Sequence, residues 1–151
     1  MISTKTLLLI LTYACKFAVK SARGNSCDYM LIDVVDSDTA KFVVTNGASM
    51  MVFTVSLTNH AFPVGAKYMI GRCYLESLKT ATSRFKAPQV FIYPLGADVA
   101  FTGDENHSVP TSKVKFPDYD NVCTNGCLLF KAVEKHEDVV DIELAIAPIG
   151  L

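Results

Sequence analysis

The stretch that decides the fold is Met51-Val-Phe-Thr-Val-Ser-Leu57. Every second residue from Met51 to Leu57 is large and apolar, and the polar residues Thr54 and Ser56 lie between them. This two-residue period is typical of a β-strand with one buried face and one face toward solvent. The same alternation recurs at Val140–Ile146, where Asp141 and Glu143 take the polar positions. Both segments are therefore predicted strands.

Similar apolar segments follow one another along the chain, with turn residues such as Asn46-Gly47 between them. We interpret Leu78–Phe85 as a loop, and we find no internal sequence repeat. The further predicted strands are Tyr29–Val35, Lys41–Thr45, Tyr68–Leu78, Val90–Tyr93, Val99–Thr102, Ser112–Phe116 and Cys127–Val133. About seven to nine short strands at this spacing predict an all-β fold, an antiparallel immunoglobulin-like β-sandwich.

The first 24 residues have the pattern of a secretory signal peptide. Lys5 precedes an apolar run from Thr6 to Cys15, and Ala22-Arg-Gly24 offers small residues before a cut at Asn25. The run is about ten residues long, too short to cross a membrane, and no later segment is long enough either. The sequence therefore predicts a secreted protein with a signal peptide at 1–24 and a single domain at 25–151.

Four cysteines remain after the predicted cut: Cys27, Cys73, Cys123 and Cys127. An even number in a small exported chain indicates disulfides. If Thr124-Asn-Gly126 is a hairpin loop, Cys123 and Cys127 face each other within reach of a bond. Cys73 alternates with Met69 and Leu75, which points it at the core. We favour Cys27–Cys73 with Cys123–Cys127, and the pairing that sends Cys27 and Cys73 separately to the other two stays open.

The charge balance depends on that cut. The predicted leader contains four of the 14 basic residues and none of the 15 acidic ones, so the remaining chain would carry a formal charge of −5. Nucleic acids and anionic membranes both require a basic surface. We therefore expect neither a nucleic acid nor a membrane surface as the main partner.

No motif for catalysis, a metal or a cofactor is present. The three histidines are scattered, the G-x-S-x-G and phosphate-loop patterns are missing, and four paired cysteines would leave no free thiol. Acidic pairs such as Asp36/Asp38 and Asp104/Glu105 could bind calcium if two loops met, but solvated turns explain them better. We expect no enzyme, no metal and no cofactor.

Two features suggest other extracellular properties. Asn106-His-Ser108 is an N-glycosylation sequon in a polar segment. A set of apolar residues could line a lipid cavity between splayed sheets, although an ordinary packed core is the simpler interpretation. That set is Phe53, Tyr68, Met69, Tyr74, Phe91 and Phe130.

The C-terminal third resembles the closing strands of reelin-type (reeler) domains, which include insect defence proteins. The matching residues are His107-Ser108, Lys113–Phe116 and Gly126–Ala132. The tryptophan usual in that family's penultimate strand is missing. The resemblance implies a secreted sandwich that acts in the extracellular matrix or in innate immunity by binding a protein, a matrix polymer or a microbial surface.

Phe116–Val133 is also similar to a segment of the lipid-recognition (ML) family, in which two cysteines bond to each other. Leu128 stands where that family has proline. This second resemblance implies a secreted protein with a lipid between its sheets. Our expectation is thus a secreted, non-enzymatic binding protein of the matrix or defence type, with lipid binding as the alternative.

Overall fold

A computed structural model of the chain describes residues 1–17, 29–46, 49–112, 127–132 and 138–146. These ranges contain two helices, α1 (Thr4–Phe17) and α2 (Arg72–Arg84). They also contain ten strands: β1 (Ile2–Ser3), β2 (Tyr29–Val34), β3 (Thr39–Thr45), β4 (Ser49–Ser56), β5 (Lys67–Gly71), β6 (Gln89–Leu95), β7 (Asp98–Thr102), β8 (Asn106–Pro110), β9 (Cys127–Ala132) and β10 (Val139–Ile146).

The strands form two antiparallel sheets. A six-stranded sheet has the order β5-β2-β3-β4-β10-β9, and a four-stranded sheet has the order β1-β6-β7-β8. The alternation seen in the sequence fixes the register: Phe42 of β3 lies opposite Phe53 of β4, and Ile142 of β10 lies opposite Phe53 on its other side. Between β6 and β7 the chain turns at Gly96, whose φ of +61° favours glycine.

The first eight strands and the two helices form two similar halves. Each half runs strand, helix and three strands: β1-α1-β2-β3-β4, then β5-α2-β6-β7-β8. The first strand of each half joins the sheet of the other half, because β1 pairs with β6 and β5 pairs with β2. The sequence shows no such repeat, so the symmetry is one of structure only.

Helix α1 is part of the core. Its buried residues are Thr6, Leu7, Ile10, Leu11 and Ala14, which recur with the helical period of 3.6 residues. The helix packs against α2, β3 and β6, so it contacts both sheets. Its first turn is anchored by Thr4, whose N–H donates to the carbonyl of Pro88 at 3.0 Å and whose hydroxyl donates to that of Ala87 at 2.6 Å.

Helix α2 buries a narrower stripe formed by Leu75, Leu78 and Thr82, and it packs against α1, β5 and β8. Both helices, together with the inner faces of both sheets, enclose the main core around Phe42, Phe53 and Phe101. The opposite face of the six-stranded sheet has a smaller buried cluster, made of Leu31, Val43, Met50, Val52 and Met69 with Tyr29 against it.

The predicted antiparallel, mostly β architecture is confirmed, but the all-β part of the prediction is wrong because two helices contribute to the core. Seven predicted strands correspond to β2, β3, β4, β6, β7, β9 and β10, while Ser112–Phe116 lies almost wholly outside the described residues. The predicted strand Tyr68–Leu78 ends at Gly71, and the supposed loop Leu78–Phe85 lies mostly in α2. Among the described helices, none has the length and apolarity that crossing a membrane requires.

Candidate functional site

The two helices pack side by side, and each has one side turned away from the core. On α1 the outward residues Lys5, Leu9, Thr12 and Lys16 are spaced by three or four positions. On α2 the outward stripe contains Glu76, Thr80 and Ser83, with Lys79 and Arg84 beside it. We refer to the surface formed by these nine residues as the helix face.

Charge is unevenly distributed between the helices and the rest of the protein. The helices contain Lys5, Lys16, Arg72, Lys79 and Arg84, five of the 14 basic residues in the chain. Glu76 is their only acidic residue of the 15. The helices therefore carry a formal charge of +4 while the remainder carries −5, although the whole chain is nearly neutral at −1.

A cleft of about 250 Å³ lies between the two helices on the helix face. One residue of α1, Cys15, lines it together with Glu76, Lys79, Thr80 and Ser83 of α2. The α2 residues follow one another at helical spacing, so they form a continuous polar wall. The hydroxyl of Thr80 donates to the carbonyl of Glu76 at 3.0 Å, and that of Ser83 donates to the carbonyl of Thr80 at 2.7 Å.

An ion pair lies at one end of this cleft. Arg72 Nη2 donates to Glu76 Oε1 at 2.9 Å, with Arg72 largely covered (22% exposed) and Glu76 open to solvent (67% exposed). The other guanidinium nitrogen, Nη1, is buried and has no hydrogen-bond partner among the described residues. Arg72 is not one of the residues that line the cleft, and the Glu76 carboxylate offsets its charge.

The thiol of Cys15 remains neutral at physiological pH. Burial raises its pKa above the ordinary value for cysteine, and the nearby charges of Arg72 and Lys79 only partly oppose that effect. A thiol whose pKa is raised in this way is a weak nucleophile. Cys15 therefore adds no negative charge to the cleft.

The cysteines chosen from the sequence do not come together in the part of the chain that the structure describes. Cys73 is the second residue of α2 and a free, exposed thiol, so the expected core-facing orientation is wrong. Cys27 and Cys123 lie outside the described residues, and Cys127 is described only as the start of β9. The disulfide pairings stay predictions, as does the signal-peptide cut at residue 24, which also lies outside these ranges.

Asn106 lies at the start of β8 and not in a loop. Its Oδ1 accepts a hydrogen bond from the Thr102 hydroxyl at 2.6 Å and a longer one from the Tyr93 hydroxyl at 3.5 Å. The next residue, His107, lies 3.3 Å from the Ser77 hydroxyl through Nε2. Within the described chain no carboxylate bonds to the other ring nitrogen of His107, so this exposed pair lacks the third residue of a catalytic triad.

The proposed lipid-lining residues are spread over different surfaces. Phe53 is in the main core, Met69 is in the cluster on the opposite face of the six-stranded sheet, and Tyr74 and Phe91 are 41% and 48% exposed. Tyr68 only packs against the main core, and nothing is described of the Phe130 side chain. The five whose side chains the structure describes do not line a common cavity.

Asp36 and Asp104 of the acidic turns both accept backbone hydrogen bonds. Asp36 Oδ1 accepts from the N–H of Asp38 at 2.8 Å, and the Asp104 carboxylate accepts from the N–H groups of Lys86 and Ala87. In the described ranges, no three histidine, cysteine or acidic side chains group closely enough to bind a metal.

Comparison with known proteins gives a likeness of structure and none of sequence. No protein-family model matches the chain, and no curated protein matches it. The fold is similar to that of the DNA polymerase III beta subunit from Thermotoga maritima, with a TM-score of 0.72 and 13% sequence identity. That likeness covers 86% of this chain and 34% of the other.

Other solved structures give the same result. The sliding clamp of Pseudomonas aeruginosa bound to griselimycin has a TM-score of 0.66 and 18% identity, covering 80% of this chain and 32% of that one. A beta subunit from Eubacterium rectale has a TM-score of 0.70 and 11% identity, covering 86% and 34%. The chain therefore spans about a third of the length of the clamps it matches, and it shares the fold of that third.

These findings correct the family and function predicted from the sequence. The similar structures are sliding clamps, so the resemblances to reeler domains and to the lipid-recognition family are wrong. The expectation of a secreted matrix or defence protein, with lipid binding as its alternative, falls with them. So do the innate-immunity and glycoprotein descriptions, which depended on export.

The predicted localisation and partners are also wrong, and α1 supplies the physical reason. The apolar run interpreted as an export signal is a helix whose Leu7, Ile10 and Leu11 are completely buried in the core. Lys5 and Lys16, which were removed from the charge balance with the leader, lie exposed on the helix face. The exclusion of nucleic acid depended on that removal, and the likeness to DNA polymerase clamps contradicts it. The helical spacing of Lys5 and Lys16 was the signal in the sequence that could have revealed the helix face.

Proposed function

We propose that this chain is a non-catalytic clamp module that lies along duplex DNA and contacts the phosphate backbone through the helix face. The observation that carries the proposal is the separation of charge, with +4 on the two helices and −5 on the rest of the chain. The likeness to sliding clamps of DNA polymerase supports it, because the chain has the fold of about a third of such a clamp.

The chemistry of the helix face suits contact without sequence recognition. Lysine and arginine side chains neutralise phosphates and release counterions, which gives affinity that is independent of base sequence and falls with salt. Lys5, Lys16 and Arg84 are exposed and free to reach a backbone, whereas Glu76 is already paired with Arg72. Three to four phosphate contacts would give a slope of about −3 in a plot of log affinity against log salt.

The absence of catalysis is part of the proposal. The Ser77–His107 pair is the nearest approach to a catalytic arrangement among the described residues, and it has neither an orienting carboxylate nor an enclosed site. A module of this kind would catalyse no reaction and would instead keep a bound partner on the duplex while moving along it.

The test is fluorescence anisotropy with a short labelled duplex, started at low salt because non-specific binding weakens steeply as salt rises. The double variant Lys5→Gln/Lys16→Gln is expected to weaken binding and to flatten the salt slope by about 2, or about 1 for each phosphate contact. Lys67→Gln is the matched control, since Lys67 is exposed on β5 and shares the face of that strand with Met69, which faces away from the helices.

The proposal fails if the wild-type chain does not bind the duplex at low salt. It fails equally if Lys67→Gln weakens binding as much as the substitutions on α1, because the contact would then not be located on the helix face. Lys16 also lies over the ring of Tyr13, 5.8 Å from its centroid, so Lys16→Arg, which keeps both the charge and a cation able to contact that ring, is expected to retain binding.

A further inference from the structure

We propose that the cleft between α1 and α2 is a binding site, or seat, for a single backbone phosphate. Lys79 binds this phosphate, and the carboxylate of Glu76 lowers the affinity. This inference rests on the proposed function and assigns one position of the helix face to one phosphate. A phosphate contact in a defined cleft differs from the diffuse attraction of exposed lysines, because it fixes the distance between backbone and helices.

The size and lining of the cleft suit a phosphate. Its volume of about 250 Å³ corresponds to about eight water molecules at liquid density, which leaves room for a phosphate and part of its hydration shell. The Thr80 and Ser83 hydroxyls donate to helix carbonyls, so the ammonium of Lys79 is the lining group free to donate to an anion. The lining thiol of Cys15 is neutral and does not repel one.

The carboxylate of Glu76 limits how tightly the phosphate is bound. Glu76 lines the same cleft as Lys79, so its carboxylate opposes the entry of an anion. It also pairs with Arg72 at 2.9 Å, which holds this carboxylate beside the cleft. Neutralising Glu76 removes this repulsion from the cleft. A seat weakened in this way exchanges phosphates rapidly, as a module that moves along a duplex requires.

The experiment compares two substitutions with opposite effects in the same anisotropy assay. Lys79→Gln is expected to weaken duplex binding about three- to tenfold and to lower the salt slope by about 1. Glu76→Gln is expected to strengthen binding about threefold, because a negative charge that repels the phosphate leaves the cleft. Lys67→Gln and Glu105→Gln make the same charge changes away from the helix face and are expected to have little effect.

Lys79→Arg keeps the positive charge and is expected to retain most of the binding, and thermal unfolding of each variant shows that its fold is intact. If Lys79→Gln and Glu76→Gln behave like their controls while Lys5→Gln/Lys16→Gln weakens binding, the seat is overturned and the proposed function stands. If Glu76→Gln weakens binding, the assigned role of Glu76 is wrong and the seat is overturned. If the wild-type chain does not bind the duplex, both proposals fall.

Discussion

Asp104 lies between β7 and β8, where its carboxylate fastens this turn to the segment after α2. It accepts hydrogen bonds from the N–H of Lys86 at 2.6 Å and the N–H of Ala87 at 2.5 Å. These bonds favour the charged form and hold the pKa of Asp104 below its ordinary value. The sequence identified Asp104 only as part of an acidic turn, because its partners are 17 and 18 residues away.

The lowered pKa of Asp104 predicts how the stability of the protein depends on pH. A carboxylate with a depressed folded-state pKa contributes stability that is fully present above its unfolded pKa and is lost as pH falls through the folded value. We expect Asp104→Asn to lower the melting temperature at neutral pH, and the difference from wild type to shrink as pH drops below the ordinary value of 3.8. Glu105→Gln is the control with the same change of charge. A difference that persists unchanged in acid would contradict this account.

Gly103 shows how little room a residue can have next to an aromatic ring. A Cβ built at Gly103 would lie 2.7 Å from Cδ2 of Phe85, closer than non-bonded carbons approach. We expect Gly103→Ala to reduce the free energy of unfolding by about 1–3 kcal/mol, measured by urea titration. The double variant Gly103→Ala/Phe85→Leu is expected to be less destabilised than the two single changes added together. Simple additivity would show that the clash with Phe85 is not the cause.

At the scale of elements, strands were easier to find in the sequence than helices. The alternation at Met51–Leu57 survives in β4 because a strand has one face toward the main core. Helix α1 was missed because Thr6–Cys15 is apolar on almost every side, as an export signal also is. Helix α2 was missed because Met69, Cys73 and Leu75 happen to alternate across the boundary between β5 and the helix.

The role of α1 as a core element can be tested by two leucine substitutions. Leu11 is completely buried, so Leu11→Ala is expected to cost about 2–5 kcal/mol of unfolding free energy. Leu9 lies on the helix face and is only half-buried, so Leu9→Ala is the matched control with a smaller loss. Urea titration of the purified full chain measures both. Equal small effects would mean that α1 does not pack as described.

At the scale of the whole molecule, the exchange of first strands joins the two halves. β1 completes the sheet of the second half and β5 completes that of the first, while each helix contacts both sheets. No pattern in the sequence predicts this arrangement, since the two halves have no detectable sequence repeat. The helix face also combines the two halves, because its charged residues come from α1 of the first half and α2 of the second. The sequence could therefore indicate strands and their faces, but not the surface that gathers the basic residues.

Because the halves share their sheets and one core, the described fold should unfold as a single cooperative unit. Phe101 of β7 and Phe42 of β3 lie in different sheets but in the same buried cluster. We expect Phe101→Ala to cost about 3–5 kcal/mol and to accelerate hydrogen exchange of the protected amides in both sheets alike. Phe42→Ala is expected to do the same from the other sheet. If Phe101→Ala instead accelerates hydrogen exchange only in β6, β7 and β8, the four-stranded sheet opens on its own. In that case the pairing of β1 and β5 with the sheets of the opposite halves does not couple the two halves.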